Sequence, residues 1–318
     1  MSVAARRIAP APSPTSPVAD RAERPRIVIR RVDVDTEERG EKYWYNGMPG
    51  VTAFAYALSD VFPDGERMFI DSVRHYRDQI TDPTLAAEVR AFIGQEAQHG
   101  QVHERYNARA DADGFAVSEV TAHAQRRMAR VRKVAPPEVQ LAITCSLEHF
   151  TAMMAEQLLG NELMSEGVPE SHATMWRWHA AEEAEHKAVA FDVYRAVGGS
   201  ERTRIITMKA TRIGFVLGVT FQLALSLLGD PATFQKGRLR KSLKQFRRSA
   251  IMTSGVWKRL KDYDRPGFHP DDWDTSELVD RWSAELFGEH GTLLDKLAAG
   301  RGATAGSDQP AEPVGASA

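Results

Sequence analysis

The chain of 318 residues has a single cysteine, Cys145, which excludes an intramolecular disulfide and a cysteine-rich zinc or iron–sulfur site. So little cysteine is typical of a reducing compartment, and we expect a cytoplasmic protein. An excess of one charge is also lacking, because 41 Lys+Arg residues oppose 43 Asp+Glu residues. This balance gives no general electrostatic argument for a nucleic-acid partner. Hydrophobic residues make up 42% of the chain, which is enough for a sizeable core.

Both ends of the chain lack hydrophobic periodicity. Residues 1–25 are rich in Ala, Pro, Arg and Ser and contain no apolar segment typical of a signal peptide, and residues 300–318 have a similar composition. We expect two disordered tails. Residues 26–299 are predicted to form a single helical domain, with a bundle core at about 51–228 and a helical extension at about 229–299.

The positions of proline and glycine residues predict where the helices begin and end. Residues 27–34 are β-branched and predict a short strand or an extended arm. A break is expected at Pro63–Gly65, and Asp82 followed by Pro83 predicts a capped helix start. The predicted helices cover about 51–61, 65–80, 83–110, 118–133, 137–165 and 170–197.

Two copies of one pattern lie about eighty residues apart, and each is a lone glutamate followed one helix later by Glu-x-x-His. Glu and His three residues apart share one face of a helix, and apolar residues at helical spacing assign these positions to the core. Four such helices would direct four carboxylates and two imidazoles to one point. That is the ligand set of a dinuclear metal site in a ferritin-like four-helix bundle, an all-α fold. The candidate ligands are Glu66, Glu96 and His99 in the first copy and Glu148, Glu183 and His186 in the second.

Buried carboxylates at these positions need a cation to neutralise them, and the surrounding residues indicate which kind. Burying an unpaired carboxylate costs several kcal/mol, and no basic residue recurs on the same stripes. We therefore expect two divalent metal ions, which makes residues 26–299 a metal-binding domain. Oxygen and nitrogen donors without thiolate favour iron, with manganese and zinc as alternatives. The two lone glutamates, on different helices, are expected to bridge the metals.

Two further histidines extend the pattern. His179 lies four residues before the glutamate of the second motif. It is a candidate seventh ligand, and a role without metal contact is an equally weighted alternative. His103 lies four residues after the histidine of the first motif. We expect it to orient a ligand from behind or to line a pocket. Spacing predicts that Glu156, Glu182 and Glu185 are solvated or support the ligands from outside.

Two known groups of proteins share these motifs. The stretch Phe62–Phe69, with both Glu-x-x-His motifs, resembles the ferritin-like bacterial family described as "predicted metal-dependent hydrolase", over roughly residues 27–260. The second motif, His179, Glu183 and His186, is also similar to the di-iron arylamine N-oxygenases. That second resemblance implies that His179 ligates iron.

The ligand set permits more than one activity. The preferred hypothesis is a di-iron oxidase or oxygenase that acts on a small organic substrate and draws on an electron donor. A metal-dependent hydrolase is the alternative, and a non-enzymatic metal-binding protein is a second alternative. No catalytic residue beyond the ligands is predicted, and a homodimer remains open.

A long apolar segment follows the second motif. Residues 213–228 are almost wholly apolar but shorter than the roughly twenty residues that span a bilayer. We predict a buried helix of the bundle. The alternative is a peripheral membrane contact, because residues 236–248 carry seven basic residues and no acidic one.

Overall fold

A computed structural model describes residues 26–34, 41–115, 117–161, 166–248 and 254–297. The predicted tails, 1–25 and 300–318, lie outside these residues. The described part is all-helical, as predicted, and its only β-pairing is an isolated bridge. Its α-helices are α1 (Pro49–Tyr76), α2 (Pro83–Ala112), α3 (Val117–Val134), α4 (Pro137–Leu159), α5 (Glu170–His186), α6 (Val189–Ala196), α7 (Glu201–Gly229), α8 (Arg238–Arg248), α9 (Ser254–Asp262) and α10 (Ser276–Phe287).

The predicted break at Pro63 is wrong, because α1 runs through it as one helix. A proline inside a helix removes the hydrogen bond to the carbonyl four residues earlier, here that of Ser59. In this fold Asn107 on α2 donates its Nδ2–H to the Ser59 carbonyl at 3.1 Å. The neighbouring helix thus satisfies the carbonyl that the proline leaves unpaired.

Two predicted helix ends also differ from the structure. The helix predicted over 170–197 is interrupted after His186, and α6 begins at Val189. Between them the buried Lys187 donates from Nζ to the carbonyl of Trp273, which anchors the interruption to the C-terminal region. The helix predicted over 137–165 ends at Leu159.

Residues 27–34 were predicted to form a short strand or an extended arm, and the structure has the extended arm. Val32 forms the isolated antiparallel bridge with Leu297, and the Asp33 amide donates to the Lys296 carbonyl at 2.9 Å. The arm therefore lies next to Lys296 and Leu297. This placement brings Arg30 to α5.

Two apolar clusters enclose the predicted ligands. One contains Met68 and Phe92, and the other contains Tyr56, Val102 and Trp178. Along α1 and α2 the predicted ligands lie between the residues that belong to the two clusters. The core is thus divided by a polar layer.

The expectation that residues 213–228 are buried is wrong. They form the second half of α7, and the side chains of Ile213, Leu217, Phe221 and Leu228 are 62%, 64%, 54% and 66% exposed. Within the described residues α7 is the one helix long and apolar enough to cross a membrane. Its other face is attached to the body, since the buried Gln222 donates to Asp60 on α1.

Candidate metal centre

Four helices bring the predicted ligands together. Glu66 comes from α1, Glu96 and His99 from α2, Glu148 from α4, and His179, Glu183 and His186 from α5. Every one of these side chains is buried. Helical periodicity explains the arrangement, because each residue occupies a core-facing position of its helix.

The two Glu-x-x-His motifs contact each other crosswise. His186 Nε2 lies 3.2 Å from Glu96 Oε1, and His99 Nδ1 lies 3.5 Å from Glu183 Oε1. One donor atom from each of these four residues lies within 4.8 Å of the others. Each motif glutamate thus lies between ligands of both motifs. The expectation that the lone glutamates bridge two metal ions stays a prediction.

The lone glutamates lie at the two sides of this group. Glu66 forms a second group with His99 and His179, whose donor atoms are also within 4.8 Å of one another. On the other side, Glu148 Oε2 accepts a hydrogen bond from His186 Nδ1 at 3.1 Å. The cluster therefore extends from His179 to Glu148.

Many donor atoms of the cluster make no hydrogen bond to the described residues. All of them are buried, and all are oxygen or nitrogen atoms of the predicted ligands. They are both carboxylate oxygens of Glu66 and of Glu96, Oε1 of Glu148, Oε2 of Glu183, Nδ1 of His99 and Nε2 of His186. Buried polar atoms are almost always hydrogen-bonded, so this concentration indicates a partner that is not a side chain.

Burial and mutual repulsion shift the acidity of these carboxyls. Burial raises the pKa of Glu66 and Glu96 well above the usual value, and the neighbouring carboxylates raise both further. Burial also raises the pKa of Glu148 to about 7, although His186 opposes the shift. Without an added cation, the protein can hold these groups together only by protonating some of them.

A buried ion-pair network supports His99 from behind. Burial lowers the pKa of His99, but the adjacent carboxylates of Glu182 and Glu183 outweigh it and raise the pKa to about 10. His99 donates its Nε2–H to Glu182 Oε2, with the nitrogen 3.0 Å from the oxygen, and Nδ1 is left directed at the cluster. A carboxylate behind a histidine fixes its tautomer in metal sites.

Arg30 neutralises the carboxylates of this network. Its guanidinium donates to Glu182 at 3.3 Å and to Glu185 at 2.7 Å, and Gln95 Nε2 donates to Glu185 at 2.9 Å. The interpretation of Glu182 and Glu185 as solvated is therefore wrong, and the supporting one is correct. The sequence pattern gave no sign of Arg30, because it lies in the arm and 152 residues from Glu182.

Glu156 lies away from the cluster. It forms an ion pair with Arg259 on α9, and its role is to attach the C-terminal region to α4. The interpretation of Glu156 as a solvated or supporting residue is therefore replaced by a structural one.

A hydrogen-bonded chain holds His179 in place. Ser59 donates its hydroxyl hydrogen to Asn107 Oδ1 at 2.6 Å, and its oxygen lies 2.7 Å from His103 Nδ1. His103 Nε2 lies 2.5 Å from His179 Nδ1. His103 thus contacts a candidate ligand from behind, in the position expected for it.

A large apolar cavity lies beside the cluster. It measures about 810 Å³, and α1, α3, α4 and α7 line it. Phe62 forms part of its wall, and the same ring lies 4.7 Å from the ring of His179, centroid to centroid. Phe62 therefore contacts both the cavity and the candidate ligand His179.

Fold and site together define a class, an all-helical protein with a buried cluster of carboxylates and imidazoles suited to metal. Comparison with families of proteins is consistent with that class. The chain belongs to the family described as predicted metal-dependent hydrolase, whose model matches residues 28–274. The matched span contains every candidate ligand and Arg30. Comparisons with curated proteins and with solved structures gave no match.

Proposed function

We propose that the protein is a metal-dependent enzyme that binds two divalent ions where α1, α2, α4 and α5 meet. The ligands in this proposal are Glu66, Glu96, His99, Glu148, His179, Glu183 and His186. The observation that carries it is the set of buried donor atoms that make no hydrogen bond within the described part of the chain. This proposal includes a ferritin-like arrangement of the four helices, the architecture in which such ligands project inward.

The hydrogen-bonded chain supports His179 as a ligand. The Asn107 amide is oriented because its Nδ2 donates to the Ser59 carbonyl, so the Ser59 hydroxyl donates to Oδ1 and accepts from His103. His103 Nε2 then accepts from His179 Nδ1–H, and His179 Nε2 is left with a lone pair.

That lone pair faces a carboxylate oxygen. His179 Nε2 lies 2.8 Å from Glu183 Oε1, and two acceptors at this distance repel unless a cation lies beside them. Protonation of the imidazole is disfavoured, since burial lowers the pKa of His179 to about 4. A metal ion bound by both atoms removes the conflict.

Hydrolysis is the activity that the family description favours. Two divalent ions in such a site supply an activated water and electrostatic stabilisation of the leaving oxygen. The chain's own residues hold the ligands in register, with Glu182 and Arg30 behind His99. Phe62 and the apolar cavity bind the substrate's apolar part.

Oxidative chemistry is the second candidate, and one observation favours it. The donor set combines four carboxylates with three imidazoles and no thiolate, since the only cysteine, Cys145, is not among the grouped residues. This set suits iron or manganese better than zinc. In that case an electron donor is required.

Metal analysis of the isolated protein tests the proposal. We expect two metal ions per chain by mass spectrometry of the elements, after purification without chelator. Fewer than one ion per chain, even after anaerobic addition of Fe²⁺, Mn²⁺ or Zn²⁺, contradicts a dinuclear centre.

Hydrolysis and oxidation can be distinguished by experiment, because only oxidation consumes oxygen and a reductant. Protein loaded with Fe²⁺ and given a reductant is followed with an oxygen electrode, and each metal form is tested on a panel of apolar esters. Hydrolysis predicts ester cleavage without oxygen consumption. Oxidation predicts oxygen uptake that depends on substrate and on iron.

A further inference from the structure

The α7–α8 face combines exposed apolar and exposed basic side chains. Its apolar stripe on α7 consists of Ile213, Leu217, Phe221, Leu225 and Leu228, all exposed. At 1.5 Å per residue this stripe is about 22 Å long, and helical spacing keeps it on one side of α7. Exposed apolar patches of this size mark interaction sites.

Basic residues follow directly at the C-terminal end of the stripe. A single turn of helix joins α7 to α8, and Lys236, Arg240, Lys241 and Lys244 are exposed. The apolar side chains of Leu239 and Leu243 are exposed among them. Interleaved basic and apolar residues on a surface helix are typical of helices that lie in the headgroup region of a membrane.

The cavity reaches the surface along the same helix. Ile206 and Phe221 line it, and their side chains are 55% and 54% exposed. Phe221 thus belongs both to the apolar stripe and to the wall of the cavity. The walls are largely aliphatic and aromatic, and a volume of about 810 Å³ lies within the range of small-molecule sites.

We propose that the α7–α8 face docks onto a bilayer that contains anionic lipid, and that the cavity takes a fatty acyl chain from it. Neither the docking nor the binding of the acyl chain depends on the proposed function; only the reaction that the bound acyl chain undergoes rests on it. Charge favours lipid over a second copy of the protein, because a twofold partner presents the same basic residues. Anionic headgroups are complementary to them.

The helix lies along the surface in this proposal and does not cross the bilayer. Gln222 bonds to Asp60 on α1, and the buried Arg204 bonds to backbone carbonyls of Tyr263 and Arg265. These polar contacts attach α7 to the body over much of its length. Only the apolar stripe is left to meet lipid.

Vesicle flotation of the full chain tests the docking face. We expect binding to vesicles of phosphatidylcholine with phosphatidylglycerol, weaker binding to phosphatidylcholine alone, and a decrease with salt. Lys241→Glu with Lys244→Glu is expected to lower the partition onto anionic vesicles by about tenfold or more. Lys258→Glu, an exposed lysine on α9, is the matched control and should bind normally.

Substitutions in the apolar stripe complete this test. Leu217→Gln and Leu228→Gln should weaken vesicle binding, whereas Leu294→Gln, at another exposed leucine, should not. Light scattering is measured in parallel. Absence of binding to anionic vesicles overturns the proposal, and so does a stable dimer that Leu217→Gln converts to monomer, since a second copy then covers the face.

Fluorescence of cis-parinaric acid tests the cavity. Among the described residues, a Cβ on Gly214 meets no atom within 4 Å outside the adjacent turns of α7, so Gly214→Phe fills the cavity without a clash against another element. We expect this variant to bind the probe at least about tenfold more weakly. Gly229→Phe, also open but outside the lining, is the control.

Unchanged binding by Gly214→Phe, or no binding by the parent, overturns the acyl-chain assignment. Both assays are carried out without added metal. A failure here is therefore distinct from a failure to bind metal.

Discussion

The metal centre and the α7–α8 face depart from ordinary burial in opposite directions. The centre buries carboxylates among four helices, whereas the face exposes leucine and phenylalanine to solvent. Each arrangement is unfavourable for the isolated chain. We propose a metal ion for the buried carboxylates, because only a small partner reaches buried atoms. We propose a bilayer for the apolar stripe, because a surface about 22 Å long is matched by a broad partner.

A second contrast lies within α5. Glu182 and Glu185 are buried and paired with Arg30, whereas Glu183 between them faces the cluster and keeps an oxygen without a hydrogen bond to the described residues. Adjacent acids on one helix thus have different roles. The direction in which each side chain projects decides which it has.

Removal of a motif glutamate should have the largest effect. Glu96→Ala and Glu183→Ala each delete a carboxylate that lies between both motifs. We expect loss of stoichiometric metal binding, measured by elemental analysis after dialysis. Glu104→Ala, an exposed glutamate on the same helix α2, should retain full metal content. Two ions per chain in both motif variants would falsify the ligand assignment.

Arg30→Met removes the cation that distinguishes the paired acids Glu182 and Glu185 from Glu183 on α5. It leaves Glu182 and Glu185 buried without their cation, which costs about 3–5 kcal/mol of unfolding free energy, measured by urea denaturation. Metal affinity should fall by about 10- to 100-fold, because His99 loses its oriented partner.

The control for Arg30 is Arg77→Met, whose ion pair with Asp78 is exposed. We expect no measurable change in stability or metal affinity. If Arg30→Met unfolds at the same urea concentration as the parent, the network does not stabilise the folded protein.

Two leucine substitutions should sharpen the comparison between core and face. Leu141→Ala in the core should cost about 2–5 kcal/mol, since it leaves a cavity. Leu217→Ala on α7 should stay within about 0.5 kcal/mol of the parent. Thermal and urea unfolding measure both. Equal losses would mean that the stripe is covered in the isolated protein.

The smallest effect is expected at Gly100. A Cβ there would lie 3.1 Å from Glu66 Oε2, so Gly100→Ala should displace that carboxylate by a few tenths of an ångström. Metal affinity should fall severalfold while stability is kept, because Ala favours a helix by about 1 kcal/mol over Gly.

Gly65→Ala is the matched control for Gly100→Ala. It adds the same methyl group next to Glu66 in sequence, where the closest atom is Phe69 Cζ at 4.0 Å. It should raise stability and leave metal affinity unchanged. A similar loss of metal in both variants would remove the steric explanation.

The sequence predicted the ligand cluster better than it predicted the helices around it. Glu-x-x-His is a local pattern, and periodicity alone directs both residues to the core. The helix break predicted at Pro63 was wrong because the rule for proline is also local. The carbonyl that Pro63 leaves without a helical hydrogen bond accepts one from Asn107 on another helix. The prediction for the apolar segment 213–228 was wrong because composition does not distinguish a buried helix from one with an exposed apolar face.

Two contributions to the site had no local signature. Arg30 reaches its carboxylates only because the arm pairs with Leu297 and crosses α5. Spacing predicts His103 behind a ligand, but it gives no sign of Ser59 and Asn107, which hold His103 against His179. Such contacts form between residues far apart in sequence, so spacing cannot predict them.

The sequence by itself determined the helical class, the core-facing position of the ligands and the basic stretch after α7, because these depend on period and composition. Only the tertiary structure decided which glutamates are paired, which keep oxygens without a hydrogen bond to the described residues, and which face of α7 is exposed. The physical reason is that a charge or an apolar surface is satisfied by whatever packs against it. That neighbour is fixed by the fold and by no pattern within a single helix.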